Sequence, residues 1–236
     1  VTTELWLLPE PAAASFVGGL GGERLLDGTE QRRLARMLTP RQRGHFLAGR
    51  LLCRHALSER TGHPVDGWRF PVNAYGRPEP WPERYGVRFS ISHTDGLVVC
   101  AVTDGPACGV DVEGPLSAES AARVARFLAP SEQAELAALP ATERPERTRE
   151  LWVLKEAYLK GLGTGVRRDL DTFTFTPRGT APPRVRDPLH DTTFSWHFSL
   201  FRPTAEHTVA LAVETPGPEP ARLRLPGAAA VTGPAA

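Results

Sequence analysis

One pattern occurs twice in this chain and limits its fold more than any other feature. A long helical stretch is followed, after an interval, by an alternating strand, a polar turn and an apolar strand. In the first copy Phe89-Ser90-Ile91-Ser92 alternates and Thr94-Asp95-Gly96 is a hairpin signal. Leu97 to Val102 then runs apolar without a break, as in a strand buried on both faces. In the second copy Phe194, Trp196, Phe198 and Leu200 alternate, and Val209 to Val213 makes the returning strand. Helices and hairpins in this order bury their apolar sides against one another, which is the α+β class. The expectation is two similar α+β halves, each a small antiparallel sheet with packed helices. The first half is residues 1–104 and the second 105–215. The tail 216–236, rich in Pro, Ala and Gly, is expected to be poorly ordered.

The helices are marked by their ends. Thr39-Pro40-Arg41-Gln42 combines an N-cap, a proline at the first helical position and a capping box, and the pattern runs to Arg60 with Gly62 as the stop. Ser117 to Leu128 and Glu132 to Leu139 read as short helices split by Pro130. A longer helix spans Arg147 to Leu162 and ends in Gly161-Leu162-Gly163-Thr164-Gly165. Thr172 to Thr176 alternates as a strand.

Several function classes are excluded or disfavoured by composition. No apolar run approaches the ~20 residues of a membrane span. Val1 to Pro9 lacks the basic start of a secretion signal, so a cytoplasmic protein is expected. Cys53, Cys100 and Cys108 have no C-x-x-C spacing and sit among apolar neighbours, so they read as buried small hydrophobes. A net charge of +1 argues against a general nucleic-acid binder. Of the 28 basic residues only Lys155 and Lys160 are lysines. In a chain so biased toward arginine, two lysines five residues apart suggest a place that a planar guanidinium does not fit.

Four groups of residues could carry chemistry, each with a plainer alternative. Asp111 and Glu113 are two apart on an alternating strand, so their carboxylates leave one face, with Val110 and Val112 on the other. Such an oxygen-only pair suits Mg²⁺; as an isolated D-x-E it is more often an ordinary strand end. Glu156 and Lys160 share a helix face, as a surface ion pair also would. Ser92-His93 ends a strand, where a hydroxyl and an imidazole can hold a phosphate or merely cap a turn. Gly76-Arg77-Pro78 is an arginine stiffened by a turn. Arg43, Arg50 and Arg54 form one stripe on the first long helix, flanked by apolar residues. They need anionic partners, either a ligand or the protein's own carboxylates, unless they snorkel to water.

Taken together and in order, these pieces resemble a known family. Gly76-Arg77-Pro78, then Phe89-Ser90-Ile91-Ser92-His93, then Gly109-Val110-Asp111-Val112-Glu113, then Trp152-Val153-Leu154-Lys155-Glu156-Ala157-Tyr158-Leu159-Lys160 resemble the ordered motifs of the Sfp-type 4′-phosphopantetheinyl transferases. The resemblance runs from about Arg43 to Val166, and the G-V-D-V-E and W-x-x-K-E-A blocks at this separation are highly specific. It implies a pseudo-dimer of the two α+β halves with the active site at their interface. It implies transfer of the 4′-phosphopantetheine arm of coenzyme A to a serine of an apo acyl or peptidyl carrier protein (ACP or PCP) of a polyketide, peptide or fatty-acid synthase, releasing 3′,5′-ADP. The expected cofactor is Mg²⁺, held by Asp111, Glu113 and Glu156. Ser92 and His93 match positions at the 3′-phosphate end of coenzyme A. Arg77 matches the basic residue of the G-K/R-P motif. Arg43, Arg50 and Arg54 match the nucleotide-binding helix. Lys155 and Lys160 match the lysines of the catalytic helix, with Lys160 facing the pyrophosphate. Glu156 is the expected acceptor of the serine proton. Basic residues between Gln31 and Met37 find no register in the family. A complete site within one chain implies a monomer, with no nucleic-acid or membrane partner.

Two rivals follow from the residues alone. Another Mg²⁺-dependent phosphotransferase would use the same acids, but the commonest kind needs a G-x-x-x-x-G-K-S/T loop, which this sequence lacks. A non-catalytic module binding RNA or an acidic protein would explain the arginine helix, yet would leave Asp111, Glu113 and Glu156 without work.

Overall fold

The computed structural model describes residues 2–163, 168–179, 182–190, 196–215, 217 and 221–227. The described residues up to 105, with 221–227, form one compact unit, and those from 106 to 217 form a second.

The first unit begins with β1 (Thr3–Pro9), α1 (Glu10–Leu20), α2 (Gly28–Ala35) and α3 (Pro40–Thr61), followed by β2 (Val87–Thr94) and β3 (Leu97–Asp104). Thr39 caps α3 as its sequence predicts: Gln42 N–H donates to the threonine hydroxyl at 3.2 Å, and Thr39 N–H to the Gln42 side chain at 3.3 Å. Gly62 ends it in the left-handed region, φ +72°. β2 and β3 pair through Thr94↔Leu97 across Asp95-Gly96, and β1 adds antiparallel on the other side of β3. Every residue of β3 but Asp104 is buried, as the unbroken apolar run requires. β1 escaped the hairpin-based reading; its apolar run fills the place beside β3. α3 packs across the sheet, setting Leu52, Cys53, Ala56 and Leu57 against Trp6, Phe89, Val98, Cys100 and Val102. Burial of each large side chain contributes roughly 1.5–3 kcal/mol. All three cysteines are buried, and none is in a disulfide.

The second unit contains β4 (Cys108–Glu113), α4 (Ala118–Ala125), α5 (Pro130–Ala138), α6 (Arg144–Leu162), β5 (Thr174–Phe175), β6 (Val185–Arg186), β7 (Trp196–Phe201) and β8 (Thr208–Glu214). β8 lies between β4 and β7, antiparallel to both, and β5 pairs with β6. α6 covers this sheet, and its Leu154 and Tyr158 share a core with Phe173, Phe175 and Phe198. Gly163 closes α6 at φ +71°. The expected continuation through Thr164-Gly165 and the start of the hairpin at Phe194 lie outside the described residues. The expected strand from Thr172 is shorter, because the Thr172 hydroxyl donates back to the Asp169 carbonyl at 2.7 Å and holds residues 170–172 in a helical turn.

A last strand, β9 (Arg222–Arg224), belongs to the first unit and adds parallel to β1. The first sheet is therefore mixed rather than antiparallel, with order β2-β3-β1-β9. Part of the tail expected to be poorly ordered is thus a strand.

Candidate active site

The acidic face is built by a glycine. Along β4, Gly109, Asp111 and Glu113 point to one side and Val110 and Val112 to the other, where both valines are buried. A Cβ on Gly109 would come within 1.8 Å of the Ala157 carbonyl oxygen and 2.4 Å of Gly161 N. The missing side chain therefore lets α6 settle onto β4, and the face that carries Asp111 is the face that meets α6. Lys160 of α6 donates to Asp111 Oδ1 at 2.6 Å. One turn earlier stands Glu156. Burial raises its pKa, the Asp111 carboxylate raises it further, and Lys160 pulls it back. Two carboxylates close enough to raise the pKa of one, with a single ammonium beside them, form a site that favours additional positive charge.

This donor set fits Mg²⁺ in its chemistry. It offers oxygen alone, and Mg²⁺ commonly takes one or two carboxylates and fills its other positions with water and phosphate oxygens. The three expected ligands are not gathered, however: no cluster of three or more His, Cys, Asp or Glu side chains able to hold a metal occurs among the described residues. Asp111 acts on Glu156 through its charge, whereas Glu113 lies two residues further along the strand and is partly exposed.

Lys155, expected at the coenzyme A site, is placed elsewhere. It is fully buried, and its ammonium reaches the Glu132 carboxylate at 2.8 Å and the carbonyls of Leu170 at 2.7 Å and Phe173 at 2.5 Å. Three donors thus have three protein acceptors. Glu132 in turn accepts from Ala129 N–H and Phe175 N–H. Lys155 ties α6 to the start of α5 and to the turn that leads into β5. Burial lowers its pKa, and Glu132 pushes it back up.

The arginine helix divides in the same way. Arg54 is buried and bonded through both terminal nitrogens to Glu30 of α2, at 3.2 and 2.5 Å. Arg50 lies 3.4 Å from the same carboxylate and stacks over Phe46 and Phe70. Of the readings left open for this stripe, pairing with the protein's own carboxylate is the one found for both. Arg43, more exposed, donates to the Leu34 carbonyl at 3.2 Å and faces Glu23 at 3.7 Å. Arg77 lies 3.4 Å from Glu79, after a turn in which Gly76 takes φ +83°. Ser92 is buried, and His93 is exposed at the end of β2.

His93 leads to residues that the sequence reading left unassigned. A cleft of about 600 Å³ lies between the β2–β3 turn and the adjacent ends of α2 and α3. Its walls carry Arg33, Arg36 and Arg41, with His45 and His93 side by side, their ring centroids 4.9 Å apart. Asp95, ion-paired with Arg41, is the only acid in the lining among the described residues. The excess of positive charge suits an anion with more than one negative charge. Two signals were present in the sequence: the Asp27-Gly28-Thr29-Glu30 capping box that starts α2, and the basic residues at its end.

Comparison with known proteins places both units. Residues 107–212 match the model of the 4′-phosphopantetheinyl transferase superfamily, and residues 29–103 match that of the 4′-phosphopantetheinyl transferase N-terminal domain. The chain is 29% identical over 222 residues to 4′-phosphopantetheinyl transferase HetI of Nostoc sp. strain PCC 7120, covering 92% of this chain and 89% of HetI. It is 31% identical over 148 residues to 4′-phosphopantetheinyl transferase Sfp of Bacillus subtilis strain 168, covering 61% of this chain and 64% of Sfp. A second 4′-phosphopantetheinyl transferase of Bacillus subtilis is 31% identical over 146 residues, again with 64% of its length covered.

Proposed function

We infer the function from the premise that this chain belongs to the 4′-phosphopantetheinyl transferase superfamily: it transfers the 4′-phosphopantetheine arm of coenzyme A to a carrier-protein serine. The seating of Lys160 and Glu156 against Asp111 on β4 is the observation that carries this reading to particular residues. In the reaction the serine oxygen attacks the pantetheine-bearing phosphorus. The bond from that phosphorus to the bridging oxygen breaks, and 3′,5′-ADP leaves with the electron pair. Asp111 and Glu156, with Glu113 on the same strand face, would hold Mg²⁺. When bound, the ion supplies charge neutralisation on the pyrophosphate oxygens. Lys160 leaves Asp111 to face the pyrophosphate and balances the charge that develops there. Glu156 takes the serine proton, directly or through a water.

The donor cleft is lined by Arg33, Arg36, Arg41, His45 and His93, and its charge favours the 3′-phosphate end of coenzyme A. Arg77 and Ser92 stay assigned to the same donor. Arg50 and Arg54 support this cleft by fixing α2 to α3 through Glu30, rather than touching the nucleotide. The clients are acyl or peptidyl carrier proteins of biosynthetic synthases, and the chain acts as a cytoplasmic monomer. No described helix is long and apolar enough to cross a membrane.

Mass spectrometry of an intact apo carrier protein tests the reading. After incubation with this protein, coenzyme A and Mg²⁺, the carrier gains one phosphopantetheine arm, and EDTA prevents the gain. No gain on acyl or peptidyl carriers overturns the assignment in favour of another magnesium-dependent phosphotransferase.

A further inference from the structure

We propose that His45 takes up a proton as the donor's phosphate monoester binds, so that this cleft holds its ligand less tightly as pH rises. The proposal rests on the donor-site reading above and adds a linkage to it. His45 stands between two very different neighbours. On its cleft side is the His93 ring, tilted 39° at 4.9 Å. On its other side Nε2 faces Glu10 Oε1 at 3.9 Å, beyond hydrogen-bond range. That nitrogen is buried and has no hydrogen-bond partner among the described residues. A buried polar atom left in this state costs stability. Protonation supplies the missing interaction, since a small approach turns the 3.9 Å contact into a charge-assisted bond to Glu10.

Glu10 is held ready for this. Its backbone N–H donates to the Gly96 carbonyl at 2.9 Å, and its Oε2 accepts from Gly96 N–H at 2.8 Å. The carboxylate behind His45 is thereby fastened to the β2–β3 turn, next to His93, Thr94 and Asp95. The remaining charged groups at the cleft are Arg33 and Arg36 from the end of α2 and Arg41 from the start of α3, with Arg41 paired to Asp95. Without an anion, these guanidinium groups and the second imidazole oppose a further positive charge. A phosphate dianion reverses the balance. The arginines are neutralised, and a proton on His45 then lies between the Glu10 carboxylate on one side and the phosphate on the other.

The effect has a definite size and window. A phosphate monoester has its second ionisation near pH 6, so it stays almost wholly dianionic from pH 7 to 8.5 and does not itself weaken binding there. A free imidazole loses most of its charge below that range, whereas an imidazolium held between two anions loses it within the range. For a generic imidazole, a rise of about one unit on binding corresponds to about a threefold loss of affinity from pH 7 to 8.5 and uptake of about half a proton per ligand at pH 7.

Titration calorimetry of the full chain, at constant Mg²⁺ and in buffers of different ionisation heat, measures both quantities. Coenzyme A is expected to bind wild type with proton uptake and with affinity falling about threefold from pH 7 to 8.5. 3′-Dephospho-coenzyme A, which lacks the monoester, should bind with neither. His45→Gln and Glu10→Gln should each reduce the uptake for coenzyme A, whereas His93→Gln should leave part of it. Normal binding by wild type without proton uptake overturns this proposal and leaves the donor site standing. Full uptake retained in His45→Gln also overturns it. Failure of coenzyme A to bind wild type at any pH overturns the donor-site reading and this proposal with it. The proton count on wild type needs no variant, so the test survives a variant that does not fold.

Discussion

Glu156 is held in its fold at a cost, and the cost indicates function. Its pKa is raised, first by burial and then by Asp111, with Lys160 only partly compensating. A carboxyl raised in this way destabilises the folded state once ionised. The penalty is absent at pH below the ordinary carboxylate range and is present in full above the raised value. Glu156→Gln removes the charge and keeps the shape. Without added metal, the variant is therefore expected to melt higher than wild type at pH 7.5, with the gain vanishing near pH 4. Its turnover should fall by about 10²- to 10⁴-fold, the usual contribution of a positioned proton acceptor. A variant that melts lower at pH 7.5 and keeps its turnover would show that Glu156 is an ordinary surface acid. Calorimetry at the two pH values and a carrier-modification assay decide it. The sequence shows that Glu156 and Lys160 share a helix face, but the lysine reaches across to Asp111, which spacing within α6 cannot reveal. Scarcity of lysine marks two tight places, and the structure separates them. One is the acidic site; the other is the interior, where Lys155 ends in a tripod of acceptors that a planar fork would not fit.

At the scale of elements, the distance from α6 to β4 sets the site. Gly109 allows that distance, and no other residue does so without a shift. The atoms that its Cβ would meet are backbone atoms of Ala157 and Gly161, which cannot rotate away. Gly109→Ala is expected to push α6 off the strand, costing at least the ~1–3 kcal/mol of an overpacked core, and to break the Lys160–Asp111 contact. Urea denaturation should show the loss of stability. Turnover should fall even at temperatures where the variant is fully folded, because Glu156 and Lys160 ride on the displaced helix. An active, equally stable Gly109→Ala would mean that the close approach is not needed. Such an approach is invisible in one sequence, since a glycine in a strand reads equally well as a weak point. The elements themselves were legible where local chemistry defines them. The Thr39 capping box, the Asp95-Gly96 turn and the unbroken run of β3 each need only neighbours in sequence. β1 and α2 were harder. β1 is completed by pairing with β3 about ninety residues away, and α2 is fastened by Glu30 to Arg50 and Arg54 of another helix.

The chain's end carries the last lesson, at the scale of the whole molecule. A segment of Pro, Ala and Gly has little apolar surface to bury, so poor order is the natural expectation. β9 does not depend on its own hydrophobicity. Three residues pair with β1 in parallel, and Arg224 reaches Glu4, donating through Nε at 3.2 Å and Nη2 at 2.8 Å. Glu4 is buried, also accepts from the Trp6 indole at 3.1 Å, and has the Arg60 guanidinium 3.7 Å away. Arg224 lies over the Trp6 ring as well. The strand therefore covers an edge of the first sheet and supplies a partner to a buried carboxylate, across more than two hundred residues of chain. Neither contact leaves a mark in local composition. Removing residues 219–236 should expose the β1 edge and leave Glu4 short of a donor, costing about 1–3 kcal/mol in the first unit. Hydrogen exchange can locate that cost. Amides of β1 should lose protection in the truncated chain while those of β8, in the second unit, keep theirs, and Arg224→Ala should reproduce part of the effect with the strand present. Unchanged protection of β1 would mean that β9 rests on the sheet without supporting it. Equal loss in β8 would mean that the segment stabilises the molecule as a whole rather than one edge.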